Sequence, residues 1–295
     1  MKMRSLCLAL ALLWMPCAYA ATIIDLGDAA FYSVLAGSTV TNTGASTLHG
    51  NLGLSPGTAV TGFPPGMLNG GTIQAANAAA LLAQNALTSA YNFGASQSCG
   101  SNLTGQNLGG LSLTPGVYCF DSSALLTGTL TLNSLNNPNA VFIFQMGSTL
   151  TTASDSTVIF ANGITTGNIF WQVGSSATLG THSLFQGNIL AQSSITLTTG
   201  ANIACGRALA SIGAVTLDTN DISALGCSAA IIPPVIPPII PPDTPPIIPP
   251  DTPPIIPDTG PGPVAAVPEP GTILILSIGL LGLIAYGRKT VSRSN

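Results

Sequence analysis

Charge is what this sequence has least of. Only 5% of its 295 residues are Asp, Glu, Lys or Arg, against a usual level of about 25%. Between the basic residues of its two ends the single cation is Arg207. Recognition of nucleic acid needs clustered Lys and Arg, so no nucleic-acid partner is expected. Histidine is also rare. His49 and His182 have no companions at ligand spacing and no Cys-x-x-Cys pair exists, so neither a metal site nor a cofactor is implied. The two histidines read as turn or surface residues. No Gly-x-Ser-x-Gly or His-Glu-x-x-His motif is present, and Asp25, Asp28, Asp121 and Asp155 are scattered through turns rather than paired. An enzyme built on a β-helix would need a Lys or Arg base beside carboxylates. Arg207, with Asp218 and Asp221 one coil further on, reads instead as a structural ion pair or a cap on carbonyls. No catalytic residue is assigned, and the chain is not expected to be an enzyme.

The residues present follow a repeat. Ala177-Thr178-Leu179, Ile195-Thr196-Leu197 and Val215-Thr216-Leu217 fall under one another at a spacing of about twenty residues. Each row continues into a second apolar stretch, at 184–190 and at 202–209. Apolar and hydroxyl residues alternate within a row, which is the period of a strand. The repeat is too short for a pair of helices and suits coils of parallel strands and turns. The expected fold is mainly β: a solenoid with Leu, Ile, Val and Phe stacked inward in columns and Thr, Ser and Asn stacked outward. Further Thr-x-Thr pairs at Thr129 with Thr131, Thr149 with Thr151 and Thr196 with Thr198 lengthen the Thr column.

Taken in order, residues 1–20 have the layout of a secretory signal peptide: Lys2 and Arg4, an apolar run, and Ala18-Tyr19-Ala20 before Ala21. Residues 21–228 form the solenoid domain. Within it, 72–91 is alanine-rich, free of Gly, Pro and charge, and apolar at helical spacing. It is predicted to be one long helix, capped by Thr72, ended by Gly94, and packed along a solenoid face through Ile73, Leu81, Leu82 and Leu87. Val141-Phe142-Ile143-Phe144 reads as a strand buried on both sides. Four cysteines remain once Cys7 and Cys17 leave with the leader, and they allow three pairings. The local ones, Cys99 with Cys119 and Cys205 with Cys227, close short loops and are favoured, each contributing about 3 kcal/mol. Residues 229–266 are a proline-dominated linker, extended at about 3.1 Å per residue and able to reach about 100 Å. Residues 267–295 carry Pro268-Glu269-Pro270, an apolar run at the lower length limit for a membrane-spanning helix, and then Arg288, Lys289 and Arg293.

That terminus resembles a PEP-CTERM sorting signal, with the Pro268-Glu269-Pro270 motif, apolar helix and basic tail in order. The resemblance implies anchoring in the membrane through the C-terminal helix, processing by an exosortase-type enzyme, and delivery to the outer surface or extracellular matrix. The domain before it resembles the ice-binding proteins of the DUF3494 family. The match runs through Asn51-Leu52-Gly53-Leu54-Ser55-Pro56-Gly57, Leu113-Thr114-Pro115-Gly116-Val117-Tyr118, Phe170-Trp171-Gln172-Val173-Gly174 and Gly206-Arg207-Ala208-Leu209-Ala210. It implies a discontinuous right-handed β-solenoid of triangular cross-section with a long helix alongside, and adsorption to an ice crystal surface. Some members carry a Thr-Ala/Gly-x-Thr/Asn motif at the ice face, which Thr199-Gly200-Ala201-Asn202 fits and Thr43-Gly44-Ala45-Ser46 nearly fits.

Neighbouring coils stand about 4.8 Å apart, and outward residues two apart on a strand about 6.6 Å. Threonines at those intervals set methyls and hydroxyls on a rectangular lattice near the oxygen repeats of ice, and their stiff χ1 keeps the array ordered. The residues expected to bind ice are Thr178, Thr196, Thr198, Thr199, Asn202 and Thr216. Against this stands the plainer fact that Thr is a good exposed strand residue anywhere. The other function considered is a non-catalytic adhesin that binds polysaccharide or cells through the same solenoid.

Overall fold

The computed structural model describes residues 21–162 and 167–223. The predicted signal peptide, Cys227, the linker, the Pro268-Glu269-Pro270 motif and the C-terminal apolar helix lie outside them. Short parallel strands dominate, wound three to a coil, and strands inside the stack pair with their equivalents in the coils above and below, those at its ends with one neighbour. Seven strands form one sheet. The other two faces are joined into a fifteen-stranded sheet because two long strands, Leu184–Ala191 and Asn202–Ala210, bend across a corner. The bend is a bulge between Gln186 and Asn188, where Gly187 adopts a positive φ of 101°.

The coils do not stack in chain order. Tyr32–Ala36 pairs with Asn51–Leu54 on one side and, on the other, with the last full coil through Val34↔Ala208 and Leu35↔Leu209. The N-terminal coils therefore extend the stack beyond its C-terminal coil. Helix α1 (Ala78–Ser96) links the strand Ile73–Ala75, which pairs with Asn51–Leu54, to Ser101–Asn102, which pairs with Gly116–Phe120 at the opposite end.

Identical registers produce identical columns. Val34, Ala208, Ile189, Trp171, Phe144 and Tyr118 are successive partners inside the coil. The Phe144 and Trp171 rings stack at 3.9 Å and 8°, and the Trp171 indole N–H reaches the Gln186 carbonyl at 2.9 Å. On the other side of the same strands Val117, Ile143, Phe170, Leu190 and Leu209 form a second apolar cluster with α1. Val141-Phe142-Ile143-Phe144 is indeed covered on both sides.

The helix departs from its sequence reading in two respects. It starts at Ala78, capped by the Asn77 side chain accepting from the Ala80 N–H at 2.9 Å, and not at Thr72. Thr72 instead donates its N–H to Asn51 Oδ1, and Ile73–Ala75 is a strand, because pairing with Asn51–Leu54 outweighs helical propensity over so short a stretch. Gly94 does not end the helix. It lies buried within it, where an added Cβ would stand 3.0 Å from Ile24 Cδ1. The contact face is mostly small, with Ala80, Ala83, Ala90 and Gly94 around Leu87, while Ile73, Leu81 and Leu82 are exposed.

Where the seven-stranded sheet turns into the next face, the corner is closed by buried polar side chains. Asn220 donates to the carbonyls of Thr198 and Ala201 at 2.9 and 2.8 Å and accepts from the Asp218 N–H. Ser46 Oγ receives the Asn220 N–H at 2.9 Å and donates to Asn42, whose amide reaches the Gly62 carbonyl. Four successive coils are joined by this chain. The Cys99–Cys119 disulfide ties the segment after α1 to its neighbouring strand. Cys205 is also disulfide-bonded.

Asn220→Ala removes the side-chain bonds to the Ala201 carbonyl and the Asp218 N–H, and one of the two bonds at the Thr198 carbonyl, which keeps the Ala201 N–H at 3.0 Å. It is expected to cost about 3 kcal/mol and to lower the melting temperature by roughly 10 °C, measured by circular dichroism. An unchanged melting temperature would show that the corner does not depend on this side chain.

Candidate functional site

The seven-stranded sheet has a regular outer surface. Its strands run in the order Ala124–Leu126, Leu150–Thr152, Ala177–Leu179, Ile195–Leu197, Val215–Asp218, Thr39–Thr43 and Ala59–Thr61. In most of these strands a buried residue precedes and follows one that points out, and the register carries that outward position from strand to strand. In register the outward residues are Leu125, Thr151, Thr178, Thr196, Thr216, Thr41 and, at the end of its strand, Thr61. Six consecutive coils thus carry threonine at one position, a ladder of about 24 Å at the parallel strand spacing. Thr41 and Thr216, 175 residues apart in sequence, have their hydroxyl oxygens 3.4 Å apart.

One residue ahead of the strands runs a flanking column of small hydroxyl residues, among them Ser123, Thr149, Ser176 and Ser194. It is held by Thr149 Oγ1 on Ser123 Oγ at 2.8 Å and by backbone bonds such as Ala177 N–H to Ser194 O. Strand side chains are short and uncharged across the ladder. The one carboxylate, Asp218, stands at its margin and accepts from Thr199 at 2.5 Å and Thr219 at 3.1 Å.

Of the residues expected to act together, Thr178, Thr196 and Thr216 lie in the ladder. Thr198 is half-buried at its edge, with its hydroxyl committed to the Leu179 carbonyl at 2.8 Å. Thr199 and Asn202 lie off it. Thr199-Gly200-Ala201-Asn202 turns the corner, with Gly200 at φ 68° and Ala201 buried, so Asn202 begins a strand of the adjoining face, where its Oδ1 accepts from the Asp221 N–H at 2.7 Å. The structure adds Thr41, Thr61 and Thr151. Their signal was the Thr39-Val40-Thr41 alternation and the Thr149-x-Thr151 pair; their place beside Thr216 and Thr178 depends on the coil order.

The scattered ionisable groups serve the scaffold. Arg207 donates twice to the Ala30 carbonyl, at 3.0 and 2.7 Å, and to Asn188 Oδ1 at 2.8 Å. Burial pulls its guanidinium down to about 10, which leaves it charged at neutral pH. His49 Nε2 stands 3.4 Å from Asp221, and His182 Nδ1 3.9 Å from Asp155, both near the surface. Among the described residues no three His, Cys, Asp or Glu side chains gather to hold a metal ion.

With this geometry established, the family model described as ice-binding-like matches residues 34–223, the whole of the coil stack. The chain belongs to the ice-binding-like family. An ice-binding protein of Nostoc sp. (strain HG1) is 58% identical over 206 residues, covering 70% of this chain and 76% of that one. Among solved structures, an ice binding protein from an Antarctic biological consortium superposes with a TM-score of 0.66 at 46% identity, covering 69% of this chain and 91% of that one. One from the Antarctic ascomycete Antarctomyces psychrotrophicus does so with a TM-score of 0.66 at 37% identity, covering 69% and 99%. The PEP-CTERM protein-sorting motif matches residues 266–289, which implies export, sorting to the cell surface and processing by an exosortase.

The coil order is open to a direct check. Adjacent parallel strands bring Cα atoms within disulfide range, so Thr41→Cys with Thr216→Cys should form an additional disulfide under mild oxidation, read as a mass difference after alkylation. Thr41→Cys with Thr178→Cys, about 14 Å apart, should not.

Proposed function

We propose that this chain is an exported, non-catalytic protein that adsorbs to ice through the threonine ladder, inhibiting growth and recrystallisation of the crystals it coats. In this reading residues 1–20 are removed as a signal peptide, and 21–228 form a right-handed solenoid of triangular cross-section. Residues 229–266 space it from a sorting segment, 267–295, which sits in the membrane until the exosortase acts. The destination is the outer surface or extracellular matrix. The family and the ice-binding relatives support the activity; the ladder supports its location.

The observation that carries the location is the contrast between two faces. If threonine were present only as a good strand residue, it would be spread over every exposed sheet surface. On the adjoining face the equivalent outward column reads Met67, Thr47, Asp221, Asn202, Leu184, Thr157 and Thr129, a mixture of apolar, acidic and polar side chains. The ladder has threonine in six of its seven positions. Its methyls leave waters to order among themselves while its hydroxyls fix them at the strand spacing. Charges, which bind water in geometries of their own, are absent from its middle.

Thr196→Tyr and Thr216→Tyr interrupt the ladder at its centre and should reduce thermal hysteresis several-fold without lowering the melting temperature of the protein. Thr41→Tyr should do the same, although it lies far from both in sequence. Asn202→Ala, on the other face, should leave hysteresis unchanged. Full hysteresis in the three tyrosine variants would place the ice-binding surface elsewhere.

A further inference from the structure

An open cleft runs along α1 on the side where the helix-covered face turns toward the ladder. One stretch of about 400 Å³ has Pro56, Leu81, Asn85, Asn92, Gln192 and Ile212 in its walls. A second, of about 610 Å³, has Gln97, Asn102, Gln145 and Gln172. Tyr91 lines both, so the two stretches meet at that side chain. The wall facing the helix is a ridge of stacked turns, joined by bonds such as Gly174 N–H to Met146 O at 2.8 Å, Gln192 N–H to Val173 O at 3.0 Å and Ser211 N–H to Ala191 O at 2.9 Å. The helix residues that line the two run from Leu81 to Ala95, a length of about 21 Å.

Its floor is fixed. Gln84 donates to the Ala210 carbonyl at 3.2 Å, and Gln145 to the carbonyls of Gly94 and Gln97 at 2.7 and 2.8 Å. In the first stretch the side-chain amides of Asn85, Asn92 and Gln192 make no hydrogen bond among the described residues, whereas in the second Asn102 is held by Asp121 and Gln172 by Tyr91. Beside the uncommitted amides lie two exposed aliphatic side chains, Leu81 at 52% and Ile212 at 64% exposure. The only charged side chain in either stretch is Asp121, at the far end.

These features select a ligand by chemistry. Amides that donate and accept at once, set between aliphatic patches and one tyrosine, match a molecule whose rim is hydroxyl and whose faces are C–H. An acidic polymer would require Lys or Arg, and a small apolar ligand would require enclosure that an open valley does not give. An extended chain is what the length fits, and the sorting motif takes the protein to the cell surface, where such chains lie. We propose that the cleft beside α1 binds a neutral polysaccharide. The site is separate from the ladder and does not depend on its function; together they would let one molecule hold ice and polymer at once.

The test is native electrophoresis of the mature protein in gels containing hydroxyethylcellulose, dextran or alginate. Migration should be retarded in at least one of the neutral polymers and not in alginate. Asn85→Arg with Asn92→Arg, at exposed helix positions, should migrate in each neutral polymer as the same variant does in a polymer-free gel, while ice-crystal shaping is retained. Thr196→Tyr should show its reduced hysteresis and keep the retardation. Unretarded migration in both neutral polymers, equal retardation in alginate, or full retardation of the double Arg variant would each overturn the proposal. Loss of ice activity in the wild type would count against the ladder alone.

Discussion

Apart from those at the two ends of the stack, the described strands satisfy their backbone through the coil above and the coil below, in parallel and in register. A short strand standing alone would leave its N–H and C=O groups unpaired, so each coil must present the shape that its neighbour fits. Columns of like residues follow from that requirement: aromatic on aromatic from Tyr118 to Trp171, aliphatic on aliphatic from Ile195 to Val40, and threonine on threonine from Thr151 to Thr61. Turns obey it too. An added Cβ at Gly174 would stand 2.6 Å from the Gly147 carbonyl oxygen one coil away. The corner stitched by Asn42, Ser46 and Asn220 meets the same need with side chains where the backbone changes direction. A regular outer surface is thus a by-product of a regular ladder of hydrogen bonds.

The three faces of the stack use that regularity differently. The helix covers one, turning it into interior with a second apolar cluster on its far side. A second carries mixed side chains and the exposed His49–Asp221 pair. Only the third keeps one small, uncharged, conformationally stiff side chain through six coils. The near absence of charge noted in the sequence belongs to the whole domain, and the cleft beside α1 shares it.

How far this could be read from sequence depends on whether neighbours in space were neighbours in the chain. Ala177, Ile195 and Val215 stand in consecutive coils, and their rows align by eye; the solenoid, the inward columns and half of the ladder followed. Thr41 and Thr61 were hidden because the first coils insert beyond the last one, a closure that no local pattern announces. Thr199 and Asn202 fit a spacing motif, yet Gly200 bends the chain between them, and a backbone turn of that kind is invisible to a pattern of side chains. The start of α1 was missed for a related reason: Ile73–Ala75 has helical company on its C-terminal side but a strand partner, Asn51–Leu54, some twenty residues back. Arg207 was legible as a structural residue, an ion pair or a cap on carbonyls, and its bonds to the Ala30 carbonyl fit the second of these.

The central claim is that the threonine ladder makes this protein adsorb to ice. A single ice crystal, held just below its melting point in a solution of the purified mature protein and watched as it is cooled, tests that claim most directly. The account predicts faceted shaping and a temperature interval without growth. A crystal that grows as a smooth disc from the moment of undercooling would contradict it.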